Sequence, residues 1–284
     1  MKTVSPLRYP GGKSSLAGLL ASIRQLNRLG DWSIAEPFAG GAGASLVLLR
    51  LEQAEEIWIN DADPAIHDFW AALMGETESF VERLSSIEVT MSEWRRQRDV
   101  YRDSCSSPID RGFAAFFLNR CNRSGIIVNG GPIGGVEQSG EWKLDARFNT
   151  TELLQRCRRL RTYRDRVHVS GLDGIDFILS LDRSETFFFI DPPYYEKGRM
   201  LYLNVAGPEY HQALASTLKA MSDAAWVLTY DDCPEVRAAY EGWATVRPFS
   251  LRYAAAKRRH GREVLIAPRW MQLPDDQDSD AIVW

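Results

Sequence analysis

Long apolar runs, close cysteine pairs and histidine clusters are all missing from this sequence. No stretch approaches the roughly 20 apolar residues that cross a membrane, and the first residues, MKTVSPLRYPGGK, lack the apolar segment of a signal peptide. Four scattered cysteines, Cys105, Cys121, Cys157 and Cys233, fit neither a zinc site nor a disulfide framework. The scattered cysteines therefore predict a cytoplasmic protein with reduced thiols. The four histidines form no cluster either, so we expect no bound metal.

Positive charge is scarce overall but concentrated in one segment. The 284 residues carry a net charge of -4, which by itself argues against a nucleic-acid partner. Residues 95–166, however, hold fifteen Arg and Lys against eight Asp and Glu, and the remainder is acidic. This distribution suits a protein that offers one basic face to phosphates.

The apolar pattern predicts alternating strands and helices. After an amphipathic helix near residues 13–28, a strand (SIAEPF), a glycine turn (AGGAGA), a helix (SLVLLRL) and a second strand (EEIWIND) follow in order. Three more apolar strands occur later, in RVHVSGLD, TFFFIDPPYY and AWVLTYDD, and the segments VRPFSLRYAA and EVLIAP predict a closing hairpin. We therefore predict an α/β fold with a Rossmann-like, doubly wound parallel sheet.

Residues 77–165 break this alternation with helical, Arg-rich and Gly-rich sequence. We predict a core formed by residues 1–76 and 166–272, with an inserted, mainly helical lobe at 77–165. Residues 273–284 contain the acidic run DDQDSD, which is typical of a solvated tail.

Four aspartates follow predicted strands: Asp61, Asp173, Asp191 and Asp231. Ligands of open α/β sheets bind beyond the carboxyl ends of the strands. These carboxylates therefore predict the edge at which the functional site lies.

The string Asp191-Pro192-Pro193-Tyr194 carries the most specific chemistry. An exocyclic amine on a nucleobase is a poor nucleophile because its lone pair is delocalised into the ring. A carboxylate and a neighbouring backbone carbonyl can accept its two hydrogens, two prolines stiffen that carbonyl, and an aromatic ring can stack on a base removed from the duplex. The alternative is that Asp-Pro-Pro is only a rigid strand exit.

Together with other motifs, this string resembles the Dam-type (alpha-group) adenine-N6 DNA methyltransferases. The resemblance covers nearly the whole chain, in the order cofactor motifs, recognition lobe, catalytic motif. Its further motifs are RYPGGK at 8–13, EPFAGG at 36–41, FLNR at 117–120, NGGPIGG at 129–135 and TYD at 229–231. The family implies a core with an inserted target-recognition lobe, S-adenosylmethionine as methyl donor, and double-stranded DNA as substrate.

The resemblance also implies roles for single residues. The predicted catalytic residues are Asp191, Pro192, Pro193 and Tyr194. The predicted cofactor residues are Tyr9 (where the family often has Trp), Gly11, Gly12, Lys13, Glu36, Pro37, Phe38, Gly40, Gly41, Asp61, Ala62, Asp173 and Asp191. Two alternatives stay open: Asp63 could cap the helix that begins at Pro64, and Asp176 competes with Asp173.

For DNA contact, the resemblance favours Asn119, Arg120, Asn122 and Arg123 of the lobe. Lys257 and Arg258 could add a second phosphate grip. The arginine run at 156–166 (RCRRLRTYRDR) could equally be a solvated helix face.

Several other functions remain as alternatives. The same amine chemistry would serve cytosine N4 or adenine in RNA. Two more distant alternatives are a nucleic-acid-binding module with an inactive site and a dinucleotide-dependent oxidoreductase. The oxidoreductase is considered because dehydrogenases share the glycine turn. We expect a monomer that does not bind membranes, with a co-encoded restriction endonuclease as a candidate partner.

Overall fold

The computed structural model describes residues 4–8, 13–195, 207–249 and 263–274. Within these ranges seven strands form one sheet. They are Ser33–Glu36 (β1), Ile57–Asn60 (β2), Val167–Ser170 (β3), Thr186–Ile190 (β4), Ala225–Asp231 (β5), Ala244–Phe249 (β6) and Glu263–Pro268 (β7).

The strand order is β3-β2-β1-β4-β5-β7-β6. The first five strands are parallel, with Ile34 paired to Ile57 on one side and to Phe187 on the other. Strand β7 is antiparallel to both β5 and β6. The chain thus winds from β1 to one edge and returns to β4 on the other side of β1, which confirms the predicted doubly wound α/β fold.

The strands form because their side chains are buried on both faces of the sheet. Every residue of β4, β5 and β7 is buried, and β4 is an uninterrupted apolar and aromatic run after Thr186. The predicted hairpin of β6 and β7 is confirmed. Strand β6 lies at the sheet edge, where Pro248 is tolerated although it lacks an N–H.

Helices connect and cover the strands. They are Ala17–Leu26 (α1), Gly43–Arg50 (α2), Pro64–Gly75 (α3), Thr77–Ser86 (α4), Met91–Arg102 (α5), Pro108–Cys121 (α6), Thr150–Arg161 (α7), Gly174–Ser180 (α8), Pro208–Ala220 (α9) and Pro234–Tyr240 (α10). The helix predicted from residue 13 begins as a 3-10 turn at Lys13–Leu16. In the part of the chain that the structure describes, no helix has the length and apolar character of a membrane span.

Helices α4 to α7 form the segment that interrupts the alternation, and it packs directly on α3. Aromatic rings fill the contact, with Phe69 of α3 against Phe80 of α4 and Phe116 of α6 at centroid distances of 5.8 Å. Gly112 of α6 permits the close crossing, since a Cβ there would lie 2.5 Å from the backbone of Asp68. One hydrophobic cluster therefore runs across the predicted boundary at residue 77, and the division into core and lobe stays a prediction.

The carboxyl ends of the parallel strands hold the predicted acids. Asp61 and Asp191 directly follow β2 and β4, Asp231 ends β5, and Asp173 lies in the turn between β3 and α8. The prediction that these four residues occupy one edge of the sheet is confirmed. The site is built from this edge.

Candidate active site

The turn after β4 presents Asp191. Phe187 to Ile190 are fully buried, whereas the Asp191 side chain keeps 21% of its surface exposed. Pro192 is buried directly behind it. Because neither proline has an N–H, the turn cannot continue the sheet ladder, and it places the carboxylate at the tip of the central strand.

Two side chains hold one oxygen of this carboxylate. Lys13 Nζ lies 3.2 Å from Asp191 Oδ1, and Thr229 of β5 donates its hydroxyl hydrogen bond to the same oxygen at 2.5 Å. Lys13 Nζ also lies 3.5 Å from Glu263 Oε2 at the start of β7. Oδ2 of Asp191 has no hydrogen-bond partner among the described residues.

Burial and neighbouring charges act on Asp191 in opposite directions. Burial raises the pKa of its carboxyl above the ordinary value, while Lys13 and Thr229 lower it and Glu263 raises it. The net effect is a raised pKa, and Lys13 is the largest of the influences that lower it.

Tyr194 completes this arrangement. Its hydroxyl oxygen accepts a hydrogen bond from Lys13 Nζ at 2.5 Å, and the ammonium lies 5.1 Å from the ring centroid. The ring is half-buried and lies 6.4 Å from the ring of Tyr230. Lys13 was predicted among the cofactor residues; the structure places its ammonium in contact with both Asp191 and Tyr194.

A second layer supports the turn from behind. The N–H of Tyr195 donates to Asp231 Oδ1 at 3.1 Å, and its ring lies 4.9 Å from that of His211 on α9. His211 Nδ1 in turn forms a short hydrogen bond with the Tyr230 hydroxyl. Among the described residues no three His, Cys, Asp or Glu side chains are grouped as metal ligands.

The predicted glycine turn follows β1. Gly40 and Ala42 both adopt left-handed backbone conformations, with φ of +48° and +47°. Ala42 bears this strain without a glycine's freedom. Trp70 of α3 donates its indole N–H to the Gly40 carbonyl at 2.8 Å, which fixes the turn. Pro37 and Gly41 are buried in it, and Phe38 is partly exposed.

Glu36, the last residue of β1, is buried with 3% of its surface exposed. Burial raises the pKa of its carboxyl to about 8, the neighbouring Ser45 offsets part of this rise, and Asp191 raises the pKa further. Its Oε2 atom has no hydrogen-bond partner among the described residues. A buried, unpartnered acceptor beside a backbone turn is the kind of atom that a cationic ligand group would satisfy.

Asp61 joins the glycine turn to the end of β2. Its Oδ2 accepts from the Gly40 N–H at 2.8 Å, and its Oδ1 accepts from the Asp63 N–H at 2.9 Å. Burial nevertheless raises its pKa to about 6. Ala62 beside it is exposed. Asp63 caps α3 by accepting from the Ala65 N–H, which supports the capping alternative for that residue.

Asp173 caps α8 and lies near the same turn. Its Oδ1 accepts from the Ile175 N–H at 2.8 Å and from the Tyr210 hydroxyl at 3.4 Å. Phe38 packs against Gly174, where a Cβ would lie 2.4 Å from the ring. The competing Asp176 is exposed within α8. Asp173, rather than Asp176, therefore contacts Tyr210, whose ring lies 6.4 Å from that of Phe38, next to the glycine turn.

The predicted DNA-contact residues are placed differently from one another. The side chains of Asn119, Arg120 and Asn122 are buried, and only Arg123 is exposed. Asn122 accepts from the Trp94 indole at 2.8 Å and donates to the Ile126 carbonyl at 2.8 Å. The side-chain amides of Asn119 and Asn122 thus form hydrogen bonds inside the protein in this conformation. Their contact with DNA stays a prediction.

Five predicted site residues lie outside the described residues: Tyr9, Gly11, Gly12, Lys257 and Arg258.

Much of the arginine run at 156–166 is tied to protein groups. Arg156 pairs with Glu152 at 2.6 Å, Arg166 pairs with Glu52 at 2.9 Å, and Arg161 pairs with Glu78. These contacts favour the alternative of a solvated helix face for this run.

Sequence reasoning missed several residues near the site. Thr229 stood in a quoted motif without a role, and Glu263 carried no signal, because its approach to Lys13 depends on strands distant in sequence. Trp142 was also missed. It follows the glycine-rich loop of the lobe with 61% of its surface exposed, and the guanidinium of Arg147 lies 5.9 Å from its ring.

A doubly wound sheet in this strand order, with an Asp-Pro-Pro-Tyr turn beyond its fourth strand, defines a Rossmann-like methyltransferase that acts on an exocyclic amine. The family described as D12 class N6 adenine-specific DNA methyltransferase matches residues 9–259. The chain belongs to this family and is an adenine-specific DNA methyltransferase. The predicted resemblance is thereby confirmed, and the cytosine, RNA and oxidoreductase alternatives lose their support.

Among solved structures, the chain is similar to the rRNA methyltransferase aviRa from Streptomyces viridochromogenes. The identity is 15% and the TM-score 0.35, over 89% of this chain and 91% of that one. A comparison with curated proteins gives no match.

Proposed function

We propose that this enzyme transfers the methyl group of S-adenosylmethionine to the N6 amine of an adenine turned out of a specific duplex DNA sequence. The observation that carries the proposal is the state of Asp191. Lys13 and Thr229 hold its Oδ1, while the partly exposed side chain keeps Oδ2 free of described partners. A carboxylate held this way is preorganised to accept a hydrogen from an amine.

The chemistry needs an amine with a localised lone pair. Asp191 and the adjacent backbone carbonyl accept the two amine hydrogens, so the nitrogen lone pair turns toward the methyl donor. Pro192 and Pro193 fix the carbonyl, which removes the need for reorganisation during the reaction. Tyr194 offers its ring face to the displaced base. The site performs this by positioning and needs no covalent enzyme intermediate.

The cofactor pocket is proposed at the glycine turn. S-adenosylmethionine supplies an electrophilic methyl group on a positively charged sulfur, and it carries an ammonium group and ribose hydroxyls. Glu36, with its unpartnered Oε2, suits a cationic group, and Asp61 suits the hydroxyls. Phe38 and Asp173 would line the adenine side, where Gly174 and Tyr210 connect them.

DNA contact is proposed for the exposed part of the lobe. Arg123 and Arg147 are cationic and Trp142 is aromatic, a combination that binds phosphates and stacks on bases. The lobe's excess of positive charge supports this face over the acidic remainder of the chain.

The cellular setting follows from the same proposal. We propose action in the cytoplasm as a monomer, with or without a co-encoded restriction endonuclease. Size-exclusion chromatography with light scattering tests the first point. Modification-sensitive sequencing of host DNA, with and without the gene, would identify the recognition sequence.

Defined oligonucleotides test the central reaction. Duplex oligonucleotides with sequences from a host genome, single-stranded DNA and RNA would each be incubated with labelled S-adenosylmethionine and digested to nucleosides. The proposal predicts label in N6-methyldeoxyadenosine from duplex DNA. Label in N4-methyldeoxycytidine, label confined to RNA, or no transfer to any substrate would contradict it.

A further inference from the structure

A short segment near the start of the chain is held by the recognition lobe. Residues 5–8, named the strap here, receive hydrogen bonds from two arginines of the lobe. Arg156 donates to the Ser5 carbonyl at 2.9 Å, and the buried Arg120 donates to the Pro6 carbonyl at 3.4 Å. In the opposite direction, the Arg8 guanidinium donates a hydrogen bond to the Asn122 carbonyl at 3.0 Å.

Asn119 makes the tightest of these connections. Its Oδ1 accepts from the Arg8 N–H at 2.6 Å, and its Nδ2 donates to the Arg8 carbonyl at 2.7 Å and to the Gly125 carbonyl at 2.9 Å. The side chain is 1% exposed. An amide whose oxygen and nitrogen are both engaged with one backbone residue acts as a clamp on that residue.

Gly125 closes the clamp from the other side. Its φ is +77°, and a Cβ at this position would lie 2.5 Å from the Arg8 carbonyl oxygen and 3.2 Å from the Arg8 Cβ. Any side chain would therefore push the strap away.

The strap lies close in sequence to Lys13, which contacts Asp191. Lys13 follows Arg8 by five residues, a stretch that spans at most about 18 Å. Lys13 then contacts Asp191, Glu263 and Tyr194. Because the chain is continuous, the position of Arg8 limits where the backbone of Lys13 can lie.

We propose that Asn119 is a positioning residue, which together with Gly125 clamps the strap so that Lys13 reaches Asp191. The recognition lobe is thereby linked mechanically to the reaction centre. This inference rests on the proposed function, in which Asp191 receives the adenine amine. It assigns to Asn119 a role inside the protein, in place of the predicted contact with DNA.

The test is a double-mutant cycle on turnover with duplex DNA at saturating S-adenosylmethionine. Asn119→Ala is expected to lower kcat roughly tenfold, with the Kd for DNA changed by less than about twofold. In the Lys13→Met background the same substitution is expected to lower kcat by less than about twofold, because the residue through which it acts is gone.

A pH profile supplies a readout that a loss of stability alone would not move. Among the described residues, the charged and titratable groups facing Asp191 are Lys13, Glu263, Glu36 and Tyr194. Of these Lys13 is the cation, so its withdrawal raises the pKa of Asp191. The acidic limb of kcat is expected to move to higher pH in Asn119→Ala, in the direction of the shift in Lys13→Met.

Gly125→Ala provides a second, independent route to the same displacement, and it is expected to reproduce the kcat and pH effects. Gly242→Ala is the matched control, because Gly242 has φ of +93° but no atom lies within 4 Å of the position that a Cβ would take. The control is expected to lower the melting temperature and to leave kcat at 25 °C within about twofold.

Three results would overturn the inference. Additive effects of Asn119→Ala and Lys13→Met would place Asn119 on a separate path. A raised Kd for DNA with unchanged kcat would return Asn119 to direct DNA contact. Unchanged kcat in Lys13→Met would remove the link itself. Failure of the proposed function differs from all three, since the unmodified enzyme would then not methylate adenine.

Discussion

Lys13 Nζ lies 3.2 Å from Asp191 Oδ1, and this ion pair joins the beginning of the matched region to the turn after β4. Thr229 binds the same oxygen, so the carboxylate is held by one cation and one hydroxyl. Lys13 lowers the pKa of this carboxyl, in opposition to the effect of burial.

Lys13→Met should move the acidic limb of the kcat–pH profile to higher pH by about one unit. The reason is that the ammonium lowers the pKa of Asp191, so its removal allows protonation at a higher pH, and a protonated carboxyl is a poorer acceptor for the amine. Lys219→Met, on the exposed side of α9, serves as the control. An unshifted limb in Lys13→Met would contradict this role.

Glu36→Gln should stabilise the protein at alkaline pH. Because burial raises the pKa of Glu36 to about 8 from an ordinary value near 4.5, its contribution to stability is complete below pH 4.5 and is lost as the pH rises through 8. Relative to the unsubstituted protein, the variant should gain roughly 4 kcal/mol in unfolding free energy between pH 4.5 and 8.5. Denaturant titrations at several pH values measure this, and a pH-independent difference would refute it.

The same substitution should weaken S-adenosylmethionine binding about tenfold. In the unsubstituted protein, a bound cation would lower the pKa of Glu36, so binding near pH 7 should release protons. Calorimetry in buffers of different ionisation enthalpy detects that release. Identical proton release by the Gln variant would show that another group is responsible.

Asp61→Ala should mainly weaken cofactor affinity, by about tenfold to a hundredfold. Its carboxylate receives the Gly40 and Asp63 N–H groups, so its loss also frees the glycine turn. The Kd of Asp61→Asn, which keeps one acceptor oxygen, should lie between those of the Ala variant and the unsubstituted protein. Isothermal titration with S-adenosylmethionine is the measurement, and an unchanged Kd in the Ala variant would refute the assignment.

Trp142→Ala should raise the Kd for duplex DNA roughly tenfold. The ring is exposed beside Arg147, where it can stack on a base while the guanidinium meets a phosphate. Trp270→Ala is the matched control: Trp270 is also exposed, but it follows β7, whose antiparallel direction ends at the opposite edge of the sheet. Equal effects of the two substitutions in fluorescence anisotropy would exclude a specific stacking role.

The sheet and its acidic edge were predictable because they depend on local pattern. A buried parallel strand requires an unbroken apolar run, and the residue after it must leave the sheet, so Asp61 and Asp191 could be placed from sequence. The position of β7 between β5 and β6 could not be predicted, because a hairpin pattern does not indicate which of its two strands pairs with the rest of the sheet.

The direction in which a side chain points could not be predicted from the sequence either. Asn119 lies in a motif of the lobe, and a polar residue there was expected at the DNA, yet the helix turns it toward Arg8. Lys13 lies beside glycines typical of a cofactor turn, yet its long side chain reaches the β4 exit. Both depend on tertiary contacts between segments far apart in sequence.

Methylation and DNA binding by Asp191→Ala test the central claim most directly. If the carboxylate acts on the adenine amine, N6-methyladenine formation should fall by about three orders of magnitude, while the Kd for duplex DNA in anisotropy measurements stays within about twofold. Retained turnover, or a parallel loss of turnover and DNA binding in a folded variant, would contradict the account.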